Sequence, residues 1–174
     1  ITIDFDFYYG RESRGIEQIT LLRSCRSFEF KQDNAWKLTD NGKVIAAECR
    51  GKRIEISKHT AQICSLSSDG IELLYEPCGI NLFRAPMDND ISVKGEWYKI
   101  FLDKLKPKVY RITAENNRVY AELSMGYAVH ESAARFKLEY SFGDCGIRIS
   151  LKAEVHEKIN YLPRLGMRFL FDKS

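Results

Sequence analysis

No apolar run in this 174-residue chain approaches the roughly 20 residues that a helix needs to cross a bilayer. No run of five like charges occurs either, which argues against a nucleic-acid arm and a polybasic membrane patch. Neither nucleic acid nor a membrane is therefore expected as a partner. Histidine is scarce: His59, His130 and His156 lie far apart, with no H-x-H or H-E-x-x-H spacing. Ordinary surface histidines are favoured over metal ligands, and no metal site is expected. The chain lacks G-x-S-x-G, a helical S-x-x-K and a Gly-rich phosphate loop, so the common nucleophile and nucleotide motifs drop out. It also lacks internal repeats and low-complexity tracts. Cys25, Cys49, Cys64, Cys78 and Cys145 are odd in number and contain no C-x-x-C pair. That pattern favours reduced, mostly buried thiols of a cytoplasmic type over a disulfide framework.

What remains is an ordinary globular mixture, 44% hydrophobic and 29% charged, with a formal net charge of +3 spread along the chain. The length suits one domain, or one domain and part of another. Aromatic residues make up 12%, which suits a strand-rich core and a sugar-handling surface equally well. The chain opens on Ile1, and Ile1 to Phe7 reads as a strand already in progress. A piece of something longer is the expectation.

Period-two alternation dominates and predicts half-buried strands. Ile1, Ile3, Phe5 and Phe7 share one face, and residues 18–31 give one or two further strands. Asp40-Asn41-Gly42 predicts a type I′ hairpin turn, because both Asn41 and Gly42 tolerate positive φ. Ser68-Asp69-Gly70 and Asn116-Asn117 are further turns, and Pro77 and Gly79 are expected to interrupt regular pairing. Val119, Ala121, Leu123 and Met125 form one stripe, and Phe136, Leu138, Tyr140 and Phe142 another. Ile147 to Val155 alternates again. The good helix candidate is 95–106, where Trp97, Ile100, Phe101 and Leu105 fall at helical spacing before Pro107. The predicted fold class is all-β, an antiparallel sandwich with one short helix.

The densest polar cluster is Arg84-Ala85-Pro86-Met87-Asp88-Asn89-Asp90. Asp88, Asn89 and Asp90 fit a turn-capping role, and they also suit a cation or sugar hydroxyls; turn-capping is the favoured reading. A glycosidase dyad needs carboxylates about 5–10 Å apart on opposite walls of a pocket, and Asp88 and Asp90 are too local for that. Trp97, Tyr98 and Phe101 suit stacking on sugar faces, but the buried stripe of an amphipathic helix is favoured.

The string from Asn81 to Ile91, N-L-F-R-A-P-M-D-N-D-I, resembles the signature that opens the small-chain domain of family 2 β-galactosidases, N-[LF]-[WTF]-R-A-P-x-D-N-D. Ser65 to Tyr75 resembles the family's hairpin ending in D-G-x-E-L-L, and Tyr161 to Met167 resembles its L-P-R-[IV]-G strand. The likeness covers residues 44–174 well. It implies three parts: residues 1–33 as the end of an immunoglobulin-like sandwich, 34–45 as a linker or hairpin, and 46–174 as the N-terminal part of the small-chain domain. It also implies a galactose-mutarotase-like supersandwich, here incomplete.

Function follows from the resemblance in the same way. The parent enzyme would hydrolyse terminal β-galactosides with retention, using two glutamates on a TIM barrel N-terminal to everything here. This chain would then hold no catalytic residue and be inactive alone. Arg84, Pro86, Asp88, Asn89 and Asp90 would form a signature turn, structural or close to substrate. Ser92, Val93, Lys94 and Gly95 would match a loop that moves over the sugar site. The family has Gly where Ser92 stands, so any hinge would fall to Gly95. No cofactor is implied for this chain; Mg2+ or Na+ would belong to the parent's catalytic domain. The implied partners are the β-galactoside, the barrel portion and further copies of the chain, since a sandwich cut short leaves open edges that favour homo-oligomers. The rival reading is a free-standing carbohydrate-binding or protein-interaction sandwich. An independent mutarotase ranks last, because no matching His motif is visible.

Overall fold

A computed structural model describes residues 2–9, 12–20, 30–31, 35–128, 131–144 and 146–172, and for 2–9 and 12–20 the backbone alone. Cys25, the Ser27–Glu29 stretch, Asp33, Asn34, His130 and Cys145 lie outside the described residues. The chain divides into two compact units, Ile1–Phe30 and Lys31–Ser174. In the first, β1 (Thr2–Tyr9) pairs antiparallel with β2 (Glu12–Thr20), with a register shift between Phe7 and Tyr8.

The second unit holds two antiparallel sheets. One runs in the order β13-β8-β6-β5-β4-β3, with β7 on β6. Its strands are β3 (Lys37–Asp40), β4 (Val44–Cys49), β5 (Lys52–Ser57), β6 (Ile63–Ser68), β7 (Ile71–Glu72), β8 (Leu74–Asn81) and β13 (Gly166–Phe171). The other runs β12-β11-β10-β9, built from β9 (Lys106–Glu115), β10 (Arg118–Gly126), β11 (Ala134–Gly143) and β12 (Gly146–Val155). The fold is all-β and antiparallel, as the alternation predicts.

The inward stripes explain why the sheets stack. Ile45, Ala47, Ile54, Ile56 and Ile63 from one sheet join Val119, Ala121, Leu123, Phe136, Leu138, Tyr140 and Phe142 from the other in one buried cluster. Burying such side chains stabilises by about 1.5–3 kcal/mol each relative to exposure. β11 is the centre of this core, because Tyr140 and Phe142 are fully buried. The Tyr140 hydroxyl donates to the Ala61 carbonyl oxygen at 2.7 Å, a direct bond between the sheet layers. Trp36 ties in a second place: its Nε1 donates to Gly143 O at 2.9 Å, and its ring lies 5.2 Å from that of Phe142. Cys49 and Cys78 are buried free thiols and Cys64 is a half-buried one. Burial pushes the Cys78 thiol up to about 12, which fits an inert packing role.

The turns follow local chemistry, with one correction. Arg50-Gly51, Asp69-Gly70 and Asn116-Asn117 each join strands through two residues at positive φ, the I′ signature. Asn41-Gly42 does not: Gly42 alone has positive φ. Instead Asn41 Oδ1 accepts from the N–H groups of Lys43 at 3.0 Å and Val44 at 2.8 Å, while Asn41 N donates to Val44 O at 3.2 Å, so side chain and backbone close the turn together. At Arg50-Gly51 the space is tight, since a Cβ on Gly51 would overlap Asp69 Oδ1. β8 runs through Pro77 and Gly79, but it pairs with β6 at Ile63–Cys78 alone and its register to β13 shifts on either side of Leu170.

The predicted helix over 95–106 is also shorter than its periodicity. Helix α1 spans Lys94–Lys99, and Phe101 turns left-handed at φ 57° before a 3-10 turn at Leu102–Lys104. That break puts Leu102 into the core and leaves Ile100 exposed. The i, i+3, i+4 pattern cannot report it, because it assumes a helix that continues.

Three substitutions test this account. Tyr140→Phe leaves the Ala61 carbonyl without its donor and is expected to cost about 1–3 kcal/mol in urea unfolding, with an unchanged m-value. Gly51→Ala combines a positive φ with the Asp69 overlap and should lower the thermal midpoint, whereas Gly42→Ala, with open space, meets the φ penalty alone.

Candidate functional site

The signature stretch leaves the sheet at the end of β8. Asn81 Oδ1 accepts from Phe83 N at 3.0 Å, which bends the chain out of the ladder. The backbone then passes Pro86 into a 3-10 turn at Asp88–Asp90 and on into α1.

Asp90 organises this turn. Arg84 donates to it through both guanidinium nitrogens, Nη1 to Oδ2 at 2.6 Å and Nη2 to Oδ1 at 3.0 Å. Met87 N donates to the same Oδ2 at 2.7 Å, and Asp90 N returns a bond to Met87 O at 2.9 Å. This two-pronged fork is the geometry in which Arg outperforms Lys. The Arg84 guanidinium, and next the Met87 N–H, hold the Asp90 carboxyl below the usual carboxylate range against the opposing effect of burial. Asp90 is the buried member of the cluster; Asp88 and Asn89 are exposed. The turn-capping read from all three residues thus falls to Asp90.

The other face of Arg84 lies 5.6 Å from the Trp97 ring centroid. Trp97 is 3% exposed, and its Nε1 donates to Tyr161 O at 3.0 Å. Gly166 stands opposite Asn81 in the β13–β8 register. The signature string and the L-P-R-L-G string, 64 residues apart at Trp97 and Tyr161, therefore meet. Tyr98 sits outside, its ring 6.0 Å from that of Phe83. No spacing rule links Trp97 to Tyr161, so the residues alone could not announce the pair.

Of the expected loop, Ser92 is exposed, Val93 packs half-buried against the core, and Lys94 and Gly95 already belong to α1. Gly95 has no positive φ and is an ordinary helical residue here. The chain is anchored on both sides of Ser92, because Val93 N donates to Asp90 O at 3.0 Å and Glu96 N to Val93 O at 3.0 Å.

The third string, Ser65 to Tyr75, carries a second structural carboxylate. Glu72 accepts from Ser65 Oγ at 2.5 Å, Leu66 N at 2.9 Å and Leu74 N at 3.0 Å. Desolvation pushes its carboxyl up, but these donors outweigh it and hold it below the usual range.

Of the histidines, His59 is an exposed turn residue and His156 lies 3.2 Å from Glu131. Among the described residues, no three His, Cys, Asp or Glu side chains converge as a metal site. A small cavity between the sheets, about 10 Å³ and bordered by Thr60, Gln62 and Tyr140, has room for a water at most.

The fork predicts an acid-sensitive contribution to stability. Because the Asp90 carboxyl is depressed in the folded state, its stabilisation is fully present above the unfolded value of about 3.9 and is lost as pH falls through the lower folded value. Asp90→Asn should lower the unfolding midpoint at neutral pH and flatten its fall below about pH 4. Asp88→Asn should change neither, and equal effects of the two variants would contradict the assignment.

Residues 48–174 match the family described as the beta galactosidase small chain. A β-galactosidase of Actinobacillus pleuropneumoniae is 24% identical over 95% of this chain and 17% of its own length. A β-galactosidase of Vibrio cholerae serotype O1 is 23% identical over 73% of this chain and 14% of its own length. The chain thus spans less than a fifth of the length of either relative. With most of its length matched, this chain belongs to the β-galactosidase small chain family.

Proposed function

We propose that this chain is the non-catalytic C-terminal β-sandwich portion of a retaining, family 2 β-galactosidase acting on terminal β-D-galactosides. In this reading the reaction belongs to a separate barrel. The sandwich supports that barrel and presents the segment from Ile91 to Gly95 near the sugar site. The observation that carries the reading is the family match over residues 48–174. The relatives' names supply the activity.

The chemistry of the turn supports a supporting role over a catalytic one. A general acid for glycoside cleavage needs a carboxyl that still holds its proton near working pH. Asp90 is the opposite: a depressed carboxylate with Arg84 on both oxygens. Its use is mechanical. Fixing Arg84 to Asp90 and Trp97 sets where the chain re-enters α1, and so where Ser92 stands. Precise placement of such a segment matters because misplacement of about 1 Å can cost about 10²-fold in rate.

The test is hydrolysis of a chromogenic β-galactoside by this purified chain, alone and mixed with a protein portion carrying the barrel. The expected outcome is no turnover by the chain alone and turnover on mixing. Turnover by the chain alone would overturn the reading. Silence in both tubes would do so too, provided that the barrel portion regains activity with the small-chain region of a known β-galactosidase.

A further inference from the structure

Exposed large apolar side chains collect in three places. Met87, Ile91, Tyr98 and Tyr161 surround the turn already described, and Ile71, Tyr75 and Phe171 lie near the β7–β8 and β13 edge. The third place is the outer face of the β12-β11-β10-β9 sheet, and its chemistry differs from the others. We propose that this face binds an anionic polysaccharide, a carboxylated or sulfated sugar chain, at a site separate from the signature turn.

The composition of the face is the first argument. Alternation sends Val119, Leu123, Phe136 and Leu138 inward, so the opposite positions point out. No Leu, Ile, Val, Met or Phe stands at an outward position of these four strands. The apolar surface there comes from Tyr110, 60% exposed, and Tyr120, 38% exposed. A protein-docking core is enriched in apolar and aromatic side chains and depleted in charge, which this face is not.

The tyrosines are held. Tyr110 sits at the register shift of β9 against β10, between the Glu122–Arg111 and Leu123–Val109 pairs, and a bulge re-aims a side chain in this way. Its hydroxyl bonds Ser124 Oγ at 2.9 Å, and Lys108 Nζ stands 5.6 Å from its ring centroid. The Tyr120 hydroxyl accepts from Arg118 Nη1 at 3.3 Å. Held aromatic rings beside cations suit a flat sugar ring that carries an acid group, the ring stacking and the acid pairing.

Charge is the third argument. Lys106, Lys108, Arg111 and Arg118 on β9 and β10, with Arg135, Lys137, Arg148 and Lys152 on β11 and β12, oppose Glu115, Glu122, Glu139 and Glu154. The face thus carries an excess of four cations in a chain whose formal net charge is +3. Lys137 and Lys152 are direct cross-strand partners. Like charges directly opposite destabilise a sheet, and an anion lying between them would relieve the repulsion. Glu122, the other neighbour of Lys137, leaves Lys152 at the sheet edge.

The experiment is affinity electrophoresis of this chain in gels containing polygalacturonate, dextran or poly-glutamate. Retardation by polygalacturonate, none by dextran and clearly less by poly-glutamate is expected. The effect should vanish near 1 M salt, where the screening length falls to about 3 Å. Tyr110→Ala with Tyr120→Ala should weaken polygalacturonate binding about tenfold and leave poly-glutamate unchanged. Lys137→Glu with Lys152→Glu should abolish retardation, with the circular-dichroism melting curve confirming a folded variant. Equal retardation by poly-glutamate, which would mark an acidic-protein or general polyanion surface, overturns the proposal. So does an unaffected tyrosine variant, or no retardation by polygalacturonate. None of these outcomes bears on the β-galactosidase assignment, which does not use this face.

Discussion

The Arg84 guanidinium is the constraint on which the candidate site depends. It is planar and carries its donors in a fixed fork, so a single side chain can satisfy a carboxylate at its tip while its face packs on an aromatic ring. Here the tip takes Asp90 and the face lies against Trp97. Trp97 in turn reaches Tyr161, on the approach to the edge strand β13. One residue therefore couples the exit from β8, the 3-10 turn, the start of α1 and the return of the chain 64 residues later. Lysine could keep the charge but not the fork, and it would lose the planar contact with the ring.

This coupling works because the core beneath is stiff. The sheets share one buried cluster, and Tyr140 makes a hydrogen bond across the layers. A buried hydroxyl without a partner would cost free energy, so the bond fixes the register of the two layers as well as their spacing. The turn at Asp90 hangs from β8, next but one to β5 in the same sheet as the partner layer. Shape at the turn is thus inherited from packing well away from it.

Much of the fold was legible because strand burial has a period of two and writes itself into the sequence. The stripes of β10 and β11 and the Asp69-Gly70 and Asn116-Asn117 turns needed only local chemistry. The misses share a cause as well. Helix α1 stops early because Phe101 turns left-handed and sends Leu102, not Ile100, into the core. Tertiary packing decides that, and a periodic pattern carries no record of it. The turn at Asn41 differs because its own side chain shares with the backbone in closing it. For the candidate site, the resemblance pointed to a string but not to the acid that pairs with Arg84. Arg84 and Asp90 are six residues apart, a separation with no meaning in a helix or a strand until the intervening Pro86 bend is known.

The two carboxylates that stand out in the resembling strings solve one problem in the same way. Wherever the chain leaves a β ladder, backbone N–H groups lose their partners, and a buried donor without an acceptor is costly. At the step from β7 to β8 the Glu72 carboxylate takes the N–H groups of Leu66 and Leu74. At the Pro86 bend Asp90 takes that of Met87. An anionic oxygen is the strongest acceptor available for this purpose, and accepting several N–H bonds is what keeps it anionic. The same bonds hold the carboxyls of Asp90 and Glu72 below their ordinary values, which makes both poor proton donors near neutral pH.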